Sequence, residues 1–293
     1  MLGISLALAG GVLLSLADAG KKFLTKSLVP EQIILLMFSF GLGINILFFS
    51  LQGFPHVEWS SVWMPALVCG VVAAVGELLF LYGLRGSDLS IAMPLFAFLP
   101  IFSSIFGFVL FREVPSALGG MGAFFVVIGA YLLVIERPLG RNVFLPFSRL
   151  LSYRASGCVL LSAFTGAMVF VGQRFGVKYS SPLAFYTLIL AVDWFIFLIL
   201  VVVRGIYRLP EAAVPASRAI IIGTGIAWAV GLGLLYASYN YTLAVYTGAA
   251  AQLQMLISIS LGALIFKESG YLQRIVAGCV MLCGVLIISW ANR

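Results

Sequence analysis

The chain has 293 residues, 62% of them hydrophobic and 9% charged, with 17 Lys and Arg against 10 Asp and Glu and a net charge of +7. A soluble domain carries about a quarter charged residues, so this composition cannot cover a water-soluble globule, and it predicts a multi-pass integral membrane protein surrounded by lipid. The basic excess falls in loops, where it holds loops on the cytoplasmic side. No basic stripe with interleaved aromatics accompanies it, which argues against a nucleic-acid partner.

A membrane-crossing helix needs about 20 mostly apolar residues. Ten stretches qualify: 2–25, 32–52, 62–85, 89–111, 117–135, 154–176, 182–203, 218–241, 246–266 and 270–290. The first ends at Ala17-Asp18-Ala19, which imitates a signal-peptide cleavage site, but no basic region precedes it. The segment is therefore expected to be retained. Short loops join the stretches, and only residues 136–153, at the midpoint, are long enough to be a connector.

Within helix 1, Asp18 is followed one turn later by Lys22, and Gly11, Ser15, Asp18 and Lys22 form a polar stripe. An acid N-terminal to a base at this spacing makes a favourable local pair. That pairing is the plainer reading of Asp18, and a place on a transport path is the alternative. Helix 3 carries Glu77 on a face with Gly70, Ala73 and Ala74. Small faces pack inward in membrane bundles, and an ionisable group at membrane depth is costly enough to suggest a function. Glu77 therefore reads as a site for a substrate ammonium or a coupling proton, against a purely architectural buried carboxyl. Helix 4 holds Pro94 and Pro100, which kink it and free carbonyls.

In the second half, Asp193 lies mid-helix 7 among Tyr186, Ile189, Leu190 and Phe197, and a structural hydrogen bond to another helix is the preferred reading. Helix 8 carries Gly233, Tyr236 and Asn240 on one stripe, with Trp228 and Tyr239 nearby. Gln252 and Gln254 of helix 9 point to different faces, and Gln252 shares the small face of Gly248 and Ala249, which favours it for a pocket. The cysteines, Cys69, Cys158, Cys279 and Cys283, sit in apolar runs, and His56 is the single histidine, so no metal or other cofactor is expected.

The chain also repeats itself. Ser103-Ser-Ile-Phe-Gly-Phe-Val-Leu-Phe-Arg-Glu113 is answered by Ser258-Ile-Ser-Leu-Gly-Ala-Leu-Ile-Phe-Lys-Glu268 at an offset of 155, and the match continues to Gly129 and Gly284. Upstream, Gly20, Lys22, Phe23, Lys26 and Pro30 are echoed by Gly172, Arg174, Phe175, Lys178 and Pro182 at an offset of 152. Helices 1–5 thus correspond to helices 6–10. Because five is odd, the halves enter the membrane in opposite orientations, as in the inverted repeats of secondary transporters. The expected organisation is a first five-helix repeat over 1–135, a connector over 136–153 and a second repeat over 154–293. Glu113 and Glu268, at helix ends beside Arg112 and Lys267, read as architecture that favours the N-termini of helices 5 and 10. Lys22, Lys26, Arg174 and Lys178 read as interfacial.

With this duplication, the Phe-Arg-Glu and Phe-Lys-Glu ends and the Lys…Pro exits of helices 1 and 6, the chain resembles the ten-helix EamA-type members of the drug/metabolite transporter superfamily. The family usually has Gly before that Glu, where this chain has Arg112 and Lys267. The resemblance implies a secondary transporter of the bacterial inner membrane, monomeric or homodimeric, that exports amino acids or related small metabolites by alternating access. A proton-coupled exporter of lipophilic cations is the runner-up, and an accessory flippase subunit ranks below it. A membrane-embedded enzyme is disfavoured, because His56, Glu58, Asp88, Glu136 and Glu211 show no mutual spacing that suggests a site. Orientation is contested. One side's loops carry thirteen basic residues against four on the other, which places both termini outside, whereas members of the superfamily commonly keep both inside.

Overall fold

The computed structural model describes residues 2–96, 98–112, 116–134, 153–207, 216–238, 241, 253–268 and 270–291. Among these the fold is entirely helical, as expected for an all-α integral membrane protein. Eight helical segments are long and apolar enough to cross a membrane, and shorter apolar helices at Ala117–Gly129 and Gln254–Phe266 fall where the fifth and ninth predicted helices lie. The helices are α1 (Leu2–Leu24), α2 (Pro30–Gln52), α3 (Trp59–Gly86), α4 (Leu89–Phe96), α5 (Leu99–Phe111), α6 (Ala117–Val134), α7 (Arg154–Gly176), α8 (Pro182–Val203), α9 (Ala216–Ser238), α10 (Leu253–Phe266) and α11 (Tyr271–Ala291). The predicted connector, apart from Tyr153, lies outside the described residues.

The repeated motifs have local physical causes. The two matched prolines, Pro30 and Pro182, occupy the first turns of α2 and α8, each after an extended residue. A first-turn proline wastes no donor there, and its φ is already helical. Ser181 caps α8 by accepting from the Ala184 N–H at 3.3 Å. The predicted fourth helix is two pieces, α4 and α5. Pro100 lacks the N–H that would bond the Phe96 carbonyl, and α4 ends at Phe96. At the Phe-Arg-Glu and Phe-Lys-Glu ends, Arg112 and Lys267 are left-handed, with φ of 58° and 54°. This is the conformation in which glycine is at ease, so the usual glycine of the motif has a conformational reason, and this chain meets the same turn with two cations.

Contacts between the parts of the chain come in matched pairs. α1 packs on α9 as α7 packs on α3; α2 meets α9 as α8 meets α3; α10 lies along α1 as α4 and α5 lie along α7; and α6 packs on α11. The tightest seams use glycine. A Cβ on Gly122 of α6 would stand 2.6 Å from the Gly284 carbonyl of α11, and one on Gly284 would stand 2.5 Å from that of Gly122. Lipid offers helices no hydrophobic reason to associate, so such close van der Waals approach is what holds them. The faces left open carry large apolar side chains, among them Leu47, Trp63, Val109 and Leu264, as expected against lipid tails.

Candidate functional site

A cavity of about 410 Å³ lies at the centre of the bundle, lined from every helix except α6 and α11. Its volume is within the range of about 300–1,000 Å³ usual for small-molecule sites. From α1, Leu14, Asp18 and Lys21 face it, at helical spacings of four and three. Lys21, which sequence reasoning counted among the loop charges, is only 6% exposed. Its Nζ lies 3.8 Å from Asp18 Oδ1 and 5.6 Å from the ring centroids of both Phe80 and Trp228. The expected Asp18–Lys22 pair is therefore corrected to Asp18–Lys21. Lys22 instead donates to the carbonyls of Leu84 (2.7 Å) and Ser87. Those belong to the last turn of α3 and the residue that ends it, whose carbonyls have no helical partner. That is why Lys22 turns toward α3 and does not snorkel outward.

Gln254 of α10 closes the arrangement from the opposite side. Its Nε2 donates to Asp18 Oδ2 at 2.6 Å, and its backbone carbonyl accepts from Ser15 Oγ at 3.1 Å. Sequence reasoning favoured Gln252 for the pocket, yet Gln254 is the amide seen to reach it. Gln252 and Asn240 lie outside the described residues.

Glu77 lines the cavity from α3, half-buried, and makes no hydrogen bond or ion pair with another described residue. Asp193 lines it from α8 at 3% exposure, and its Oδ1 has no hydrogen-bond partner among the described residues. The carboxyl is also in hydrogen-bonding contact with the Ala74 backbone of α3, a cross-helix contact of the kind expected for Asp193, while Oδ1 is left without a partner among the described residues. Aromatic side chains complete the wall. Tyr186 and Tyr236 stack with centroids 4.7 Å apart, and Phe38 lies 5.4 Å from Trp228. Trp228 and Tyr236 both line the cavity. At the helix break, Phe96 and Leu99 also line it.

The cavity thus presents three carboxyls and one ammonium. Asp18 is matched by Lys21 and Gln254, while neither Glu77 nor Asp193 makes an ion pair with another described residue. The signal that could have found Lys21 is its helical phase, since Leu14, Asp18 and Lys21 recur on one stripe. Among the described residues no cluster of His, Cys, Asp and Glu could hold a metal.

Glu268 also departs from expectation. The left-handed Lys267 folds the chain back over α10, with the Glu268 N–H 3.4 Å from the Gly262 carbonyl. The carboxylate then accepts from the N–H groups of Leu89 (2.8 Å) and Ser90 (3.0 Å) and from Ser90 Oγ. It caps the start of α4, where unpaired N–H groups favour an anion, and not the start of the tenth predicted helix. Glu113 lies outside the described residues. Arg174 and Lys178 are exposed, as their interfacial reading requires.

Apolar membrane helices thus surround a polar, aromatic-walled cavity. Residues 1–135 match the model of the EamA-like transporter family, which indicates a membrane transporter of the drug/metabolite type. No curated protein matches the chain. A solved crystal structure shares the fold with a TM-score of 0.63 at 14% identity, over 97% of this chain and 96% of that one.

Proposed function

We propose that the chain carries a small organic metabolite with an ammonium group, an amino acid or a related amine, across the bacterial inner membrane by alternating access. The observation that carries this reading is the pair of carboxyls, Glu77 and Asp193, which line an aromatic-walled cavity and make no ion pair with another described residue. A carboxylate at that depth needs a cation or a proton beside it. The stacked tyrosines and Trp228 suit both the apolar body of such a guest and its cationic head. Glu77 serves as an ammonium or proton site, with Asp193 as a second one. The moving parts are two inverted five-helix units, 1–135 and 154–293. The matched helix contacts support that division, and the resemblance favours export.

The excess of acid over base in the cavity also suits a lipophilic cation exchanged for protons. Lys21, already paired with Asp18, favours the first reading, because a substrate carboxylate can share its ammonium and a lipophilic cation cannot. The test is transport by the purified protein in liposomes, after metabolites have been screened by thermal stabilisation. Amino acids should stabilise the protein and be carried, and Glu77→Gln should remove pH-dependent transport. Stabilisation by cationic dyes alone would favour the second reading. Full, pH-independent transport by Glu77→Gln would defeat proton coupling through this residue.

A further inference from the structure

At one end of the cavity the bundle is sealed. One turn beyond Lys21, Phe80 and Met93 stand Leu24, Leu84 and Leu89, all with 0% exposure. At the other end the lining residues Gln173 and Tyr236 are only partly buried and Phe170 is 55% exposed. Over the sealed end, the turn between α3 and α4 is clamped by the turn between α10 and α11. Arg274 Nη2 lies 2.9 Å from Asp88 Oδ2, and its Nη1 lies 3.4 Å from Glu268 Oε2 and donates to Ser90 Oγ. The Ser90 hydroxyl donates in turn to Glu268. The Glu268 and Arg274 side chains are 4% and 12% exposed, while that of Asp88 is 44% exposed.

We propose that this cluster, Asp88, Ser90, Glu268 and Arg274, is a latch that holds the cavity shut at that end and must open for a substrate to pass. Three observations converge on it. Apart from the Arg274–Glu268 contact, each of its bonds joins residues 88–90 to residues 268–274, so it ties the two repeated parts of the chain where a rocking motion would separate them. Three of its four members are charged and the fourth is a hydroxyl, so water can replace each partner when the turns part. The Gly122–Gly284 contact, held by close approach of backbone and apolar side chains, has no such exchange available. Gly262 is also fitted to the latch, since a Cβ there would stand 2.5 Å from Glu268 Oε2. The neighbouring Lys22 holds the end of α3 in place beneath the turn through two carbonyls. The inference concerns access to the cavity and holds whichever substrate is carried.

The test uses a chain lacking its four cysteines, with Met93→Cys as the reporter on the cavity. Sealed vesicles of both orientations are treated with a membrane-impermeant maleimide. Ser27→Cys in the turn after α1 and Phe54→Cys in the turn after α2 mark the two sides. Met93→Cys should react from the Phe54 side only. Adding Arg274→Gln should raise its reaction from the Ser27 side by on the order of tenfold, as the balance of two states shifts, and Arg274→Lys should restore much of the block. A folded Arg274→Gln protein with no gain from the Ser27 side overturns the latch, as does a parent that reacts equally from both sides. Should Arg274→Gln fail to fold, Asp88→Asn decides in its place. It removes the half-exposed partner, and its reaction from the Ser27 side must rise for the proposal to stand.

Discussion

The two repeated halves line the cavity with the same positions and opposite chemistry. At the offset of 152, Asp18 and Lys21 of α1 correspond to Phe170 and Gln173 of α7, and all four face the cavity. At the offset of 155, Glu77 corresponds to Leu232, and Leu99 to Gln254, again all on the cavity. Helix packing is thus duplicated while the charges are not: Asp18, Lys21 and Glu77 of the first half correspond to Phe170, Gln173 and Leu232, and Asp193 of the second half falls on an uncharged residue of the first, Phe38 at the offset of 155. Packing depends on small residues and helix phase, which survive divergence of the two copies. A charge at membrane depth is tolerated only where it is matched, so each half need not carry its own set.

Giving a first-half position its second-half residue should therefore break function or stability, in proportion to how much charge is stranded. The largest effect is expected for Lys21→Gln, the Gln173 equivalent. It leaves Asp18 buried with Gln254 alone, which costs about 3 kcal/mol, read as a fall in thermal stability in detergent. Lys21→Gln combined with Asp18→Asn should recover most of that loss, and no recovery would mean that the aromatic contacts of Lys21, not its charge, dominate. Next is Glu77→Leu, the Leu232 equivalent. It strands no partner, so stability should change little, while transport should drop roughly 30-fold or more, in line with the loss of a buried charge contact of about 2 kcal/mol. Unchanged transport would return Glu77 to architecture. Gln254→Leu, the Leu99 equivalent, removes one hydrogen bond to a charged group, worth about 1.5–3 kcal/mol, and is measured by the same unfolding experiment.

How much of this was legible in the sequence follows from the physics involved. Apolar run length and the duplicated Phe-Arg-Glu and Phe-Lys-Glu ends carry the helical architecture, because lipid forces every backbone group to be satisfied within a helix. Glu77, Trp228 and Tyr236 were legible by face. Lys21 was not, since it sits beside Lys22 near a helix end, where a basic residue ordinarily reaches outward. Only the neighbouring end of α3, which supplies bare carbonyls to Lys22, decides which of the two turns inward. The destination of Glu268 was hidden in the same way. Its motif fixes a left-handed turn, but which helix start lies within reach is a matter of packing across about 180 residues of chain.

The smallest effect probes the shared frame rather than the asymmetric lining. Arg112 and Lys267 both hold left-handed backbone, at φ 58° and 54°, and both side chains are exposed. A non-glycine residue there costs about 1–2 kcal/mol, and glycine gives back part of that through its freer unfolded chain. Arg112→Gly and Lys267→Gly should each stabilise the protein by about 0.5–1 kcal/mol, seen as a small rise in unfolding temperature. Near-equal gains would show the two turns to be energetically equivalent, as a duplicated frame requires. A loss at either site would mean that the cation, placed at a helix C-terminus where the dipole favours it, outweighs the backbone cost. It would also show that the departure from glycine in this chain is a stabilising substitution and not a tolerated strain.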